Sequence, residues 1–74
     1  MSVEVRTMKG IVVDTVVLGV RKEPKPVSEI VVIVLEKAEV AIDSLFVDPV
    51  WYKVETHTGD IGYVPKNFIA IKKG

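Results

Sequence analysis

Residues 51–68 read WYKVETHTGDIGYVPKNF, and the punctuation of this stretch decides the fold. "WYKVET" (51–56) has no glycine or proline and mixes aromatic, β-branched and charged side chains, as a half-buried strand does. "HTGD" (57–60) reads as a turn, "IGYV" (61–64) as the next strand and "PKNF" (65–68) as a tight turn. Pro65 stops the strand before it, because proline cannot donate to a ladder. "IAI" (69–71) is then a last short strand. The same stretch holds the only Trp, both Tyr, one of two Phe and the only His, so it raises a question of function as well.

Upstream, Val and Ile dominate, and both suit a pleated surface better than a helix. No window carries a sustained 3.6-residue apolar stripe with helix caps; short apolar runs alternate with turn signals instead. "GIVVDTVVLGV" (10–20) is two short strands or one bent strand, depending on whether Asp14-Thr15 interrupts it. "RKEPKPVSE" (21–29), with two prolines and five charges, is a loop. "IVVIVL" (30–35) is apolar on both faces, whereas a strand solvated on one side should alternate. "EKAE" (36–39) is a turn without glycine, "VAIDSL" (40–45) a strand, and "FVDPV" (46–50) a loop around Pro49. "SVEVRT" (2–7) alternates, and either pairs or frays. The expected class is all-β: five to six short strands, mostly antiparallel, in one domain spanning 1–74 with a core over about 10–71.

The bulk numbers exclude several functions. A chain of 74 residues buries only roughly 60% of its unfolded surface. No Cys and one His leave neither thiolate chemistry nor the ligands of a zinc site. Ten basic and ten acidic side chains balance, without the basic footprint of a nucleic-acid or anionic-membrane partner. No apolar run approaches the roughly 20 residues of a membrane helix. "MSVEVRTMKG" lacks the apolar middle of a secretory signal. The location is left open: without a signal the chain is cytoplasmic or virion-associated, carried out by another route, or a fragment of a secreted protein.

In "WYKVE" a period of two puts Trp51, Lys53 and Glu55 on one face and Tyr52 and Val54 on the other. The Val54 side is the core side, so Trp51 shares the wet side with two charges. A large ring there needs a partner, a ligand or a covering loop, and "RKEPKPVSE" could be that cover. Gly62 within a strand signals a bulge or a close backbone approach. "IVVIVL" is either a central strand partly covered outside, or a face buried by another subunit. The balance favours self-association through the strand holding Val32 and Val34.

No catalytic constellation is visible. His57 in a polar "THTG" turn near Asp60 reads as a solvated residue, and Ser28 and Ser44 have no partnered His in the sequence pattern. No glycine-rich phosphate loop precedes a helix.

"WYKVETHTGDIGYVPKNFI" resembles the C-terminal half of an SH3 (Src-homology 3) domain. "LGVRKEP", "EIVVIVL" and "EKAEVAI" are similar to the Leu-Asn-Val-Arg segment, apolar strand and Lys-Gly turn of the bacterial SH3 family. The resemblance covers roughly residues 10–71. Gly19 stands where that family favours Asn, "EKA" where Lys-Gly is usual, and Phe68 where Tyr is more common. The Ala-Leu-Tyr-Asp-Tyr segment and acidic first loop of eukaryotic members are absent. The resemblance implies a small, partly open SH3-like barrel with one 3₁₀ turn, "PKNF", before the last strand. It also implies a non-catalytic binding module without cofactor or metal. Trp51, Pro65 and Phe68 match positions of the family's ligand groove, and Asn67 a position that hydrogen-bonds ligand backbone. The implied partner is a cell-wall (peptidoglycan) peptide or a protein segment, with a homodimer left open. The alternative is a structural subunit of a phage or envelope assembly, whose barrel only packs.

Overall fold

The sequence's alternation of short β-branched runs and turns is realised as seven strands in a computed structural model that describes residues 7–72. They are β1 (Thr7–Val12), β2 (Val17–Arg21), β3 (Ile30–Leu35), β4 (Glu39–Asp43), β5 (Trp51–Thr56), β6 (Ile61–Pro65) and β7 (Ile69–Ile71). A single 3₁₀ turn, η1 (Lys66–Phe68), precedes β7. The count exceeds the expected five to six because residues 13–16 do break "GIVVDTVVLGV": Asp14 adopts φ 61°, a left-handed conformation that ends β1. Of "SVEVRT", only Thr7, the first residue of β1, falls within the described residues.

All pairings are antiparallel, and the strands form one sheet in the order β3-β2-β6-β5-β4-β1-β7. Pairing does not join β3 to β7, so the ladder stays open. Even so, Val12, Leu18, Val20, Val34, Val40, Ile42, Val54, Val64 and Ile69 form one buried cluster drawn from every strand. A flat sheet could not bring its first and last strands into one core. The sheet must therefore wrap around it as a partly open barrel. Period two holds in β2, β4 and β6, each with buried residues alternating with half-buried or exposed ones.

Gly62 marks a close approach. A Cβ there would lie 2.5 Å from both the Arg21 carbonyl oxygen and Val20 Cγ1. Only glycine lets β6 cross β2 at this distance, next to the Arg21–Tyr63 pairing that joins the two strands. The glycine-free turn "EKAE" is achieved by Lys37, at φ 73°, whose N–H donates to the Val12 carbonyl at 2.8 Å.

β3 removes one of the two readings of "IVVIVL". It lies at the edge of the sheet and is not a central strand. Val34 is buried and Val32 packs against the core, so these two face inward, whereas Ile30, Val31, Ile33 and Leu35 are exposed.

Candidate functional site

β5 and β6 set the site through their register. Trp51 stands opposite Pro65, Lys53 opposite Tyr63, and Glu55 opposite Ile61. Directly opposed residues of an antiparallel pair share a face, so these six side chains lie on the outer side. Val54 is buried, and Tyr52 packs against the core on the inner side.

The chain is then held at the Trp51–Pro65 end of this pair. Asp48 Oδ2 accepts the N–H groups of Val50 (2.8 Å) and Trp51 (2.9 Å), capping the start of β5. Those two bonds hold its carboxyl below the ordinary aspartate range. The Lys66 N–H donates to the Val50 carbonyl at 2.8 Å, which ties η1 to the same point. The Val13 N–H donates to the Phe68 carbonyl at 2.9 Å, fixing the end of η1 against the segment after β1.

The result is an open groove of about 370 Å³ lined by Leu18, Gly19, Arg21, Pro26, Val50, Trp51, Pro65 and Phe68. Three of the four residues singled out from the sequence, Trp51, Pro65 and Phe68, meet in it. Trp51 and Pro65 are half-buried, and Phe68 also packs on the core. Asn67 does not line the groove; it is exposed. As the middle residue of a turn with about three residues per turn, it points roughly 120° away from Phe68, and Phe68 takes the groove direction.

The sequence pattern did not mark Leu18, Gly19, Arg21, Pro26 and Val50 as groove residues. Its one pointer was the loop "RKEPKPVSE" as cover for Trp51, and Arg21 and Pro26 of that segment do reach the groove. Ser28 shapes this loop. Its Oγ accepts the Glu23 N–H at 3.2 Å and lies 3.0 Å from the Glu23 carbonyl and 3.2 Å from the Lys25 carbonyl, the two acceptors for its one proton. The Ser28 carbonyl in turn accepts Arg21 Nη1 at 2.8 Å.

The aromatics gathered in residues 51–68 therefore have separate tasks. Trp51 and Phe68 build the groove. Tyr52 caps the core and carries Lys66 Nζ 5.0 Å from its ring centre. Tyr63 meets Phe46 edge to face with centroids 5.1 Å apart.

His57 is exposed and lines a smaller hollow of about 240 Å³ with Lys9, Glu39 and Glu55 among its neighbours. It forms no pair with Asp60, whose carboxylate accepts the Thr58 hydroxyl at 2.6 Å. Ser28 is engaged in its loop rather than beside His57. Among the described residues, no group of three or more His, Cys, Asp or Glu is placed to hold a metal ion.

The chain matches no family model, and no curated protein or solved structure is similar to it at a significant level.

Proposed function

We propose that the chain is a non-catalytic binding module of the bacterial SH3 type that takes an extended peptide, from the cell wall or from a protein, in the groove beside Trp51. The observation that carries this reading is the convergence of Trp51, Pro65 and Phe68, from three consecutive elements, with Leu18, Val50 and Pro26 in one open apolar depression. Rigid rings and prolines offer contact area at low ordering cost, which suits weak recognition of an extended chain. The expected dissociation constants are about 10 μM to 1 mM for so small a patch.

Trp51 fluorescence tests it. Acrylamide should quench the free protein, and titration with proline-rich peptides and cell-wall fragments should shift the emission. Trp51→Ala should abolish binding and cost less than about 1 kcal/mol of stability, since the ring is not part of the buried cluster. If acrylamide cannot reach the ring and Trp51→Ala unfolds the protein, the groove reading fails.

A second reading has its own support: an assembly subunit that pairs with another copy through β3. Ile30, Val31, Ile33 and Leu35 are exposed together on an edge strand, where unpaired ladder groups invite another strand.

A further inference from the structure

The groove has a charge as well as apolar walls. Among the described residues that line it, Arg21 is the one ionisable side chain. It ends β2, where a register shift between Val20 and Arg21 disturbs the pairing with β3, and it is half-buried. Its guanidinium has five N–H donors. Among the described residues it is given one acceptor, the Ser28 carbonyl, and no carboxylate.

The acids of the adjoining segments stand with partners other than Arg21. Glu23 pairs with Lys25 at 3.5 Å and Glu29 with Lys22 at 3.9 Å. Asp48 is turned to the amides of Val50 and Trp51. The groove therefore presents a positive charge with spare donors and no acid of its own on the wall. Ser28 holds the loop that supports this charge, so part of the ordering cost of using it is met by the fold.

We propose that the groove selects extended peptides carrying an acidic side chain, and that Arg21 is the selecting residue. Its guanidinium takes a ligand Glu or Asp carboxylate through charge-assisted hydrogen bonds, beside apolar ligand residues seated on Trp51, Pro65 and Phe68. This rests on the peptide-groove reading above and adds the charge of the ligand to it.

The test uses the full chain and three proline-rich peptides, capped at both ends so that only the side chains differ. One position carries Glu, Gln or Lys. Binding is read by Trp51 emission and by calorimetry. The Glu peptide should bind about tenfold more tightly than the Gln peptide, and the Lys peptide more weakly than either. Raising salt should shrink the advantage of Glu and leave the Gln peptide almost unaffected. Arg21→Gln should level the Glu and Gln peptides, whereas Lys66→Gln should leave the preference in place.

Equal binding of all three peptides to the unaltered protein overturns the charge inference and leaves the groove reading intact. Binding by none of them, with Trp51 open to acrylamide, overturns both. If Lys66→Gln rather than Arg21→Gln removes the preference, the assignment to Arg21 falls. The comparison of peptides on the unaltered protein decides the charge preference even if Arg21→Gln does not fold, and in that case loss of the preference in Lys66→Gln still overturns the assignment to Arg21.

Discussion

Lys37 sits where the sequence offered no glycine, and the backbone took the left-handed conformation regardless. Crowding between Cβ and the following carbonyl costs an L-residue roughly 1–2 kcal/mol there. The turn persists because the Lys37 N–H reaches the Val12 carbonyl and the Ala38 N–H the Leu35 carbonyl. Glycine would remove the crowding but lose more chain entropy on folding, about 0.5–1 kcal/mol. Lys37→Gly should therefore stabilise the protein by a net of about 0.5–1 kcal/mol, seen as a higher urea midpoint at unchanged slope. An unchanged or lower midpoint would show that the turn is not strained. Gly62 is the opposite case, a glycine whose need could be read from the sequence because it interrupts a strand pattern. Asn67 could not be placed that way. Its matching position in a motif says nothing about the direction set by a one-turn 3₁₀ helix.

Among the elements, β5 was legible in both bounds and facing, and β3 in its bounds but not in its place in the sheet. β5 lies between β4 and β6, with one face on the core and one outside, so period two assigned its side chains correctly. Val54 is 1% exposed, and Val54→Ala should cost about 1–3 kcal/mol for two methyl groups removed from a closed cluster. A loss below about half a kcal/mol would reverse the facing of the strand. The entry to β5 gives a pH dependence. The Val50 and Trp51 amides lower the Asp48 pKa in the folded chain, so its contribution is present above the ordinary aspartate value and is lost as pH falls through the lowered one. Stability should hold from neutral pH to about pH 5 and decline below about pH 4. Glu39, lowered by its 2.6 Å contact with Lys72, shifts in the same direction. Asp48→Ala should reduce stability at neutral pH and flatten the acid decline in urea titrations across that range; an unchanged acid limb would assign the dependence elsewhere. For β3, the two-sided apolar run was compatible with a central strand or with a face turned to another copy, and only the sheet order, which puts it at an edge, removes the first. Leu18, Gly19, Arg21 and Pro26 were not singled out as groove residues because they reach Trp51 through the long-range pairing of β2 with β6, which no local pattern specifies.

At the scale of the whole fold, nine buried aliphatic side chains among the described residues have to hold seven strands, while β3 leaves four more exposed at the sheet edge. Val17, opposite Leu35, extends this exposed apolar surface onto β2. Natural edge strands are usually blunted by charge, proline or a covering segment, but Ile30–Leu35 contains no charged residue or proline. The net charge is zero, so copies of the chain do not repel one another in bulk. An edge offering both free ladder groups and apolar side chains is best satisfied by an identical edge running antiparallel, which closes after two copies. The chain is therefore expected to be partly dimeric at micromolar concentration. Ile33→Lys and Leu35→Lys, on the exposed side of β3, should give a monomer with an unchanged circular dichroism spectrum, because neither residue belongs to the buried cluster. Sedimentation equilibrium reads this directly. A clean monomer to high concentration in the unaltered protein would remove the second copy from β3 and leave its apolar edge without a physical account.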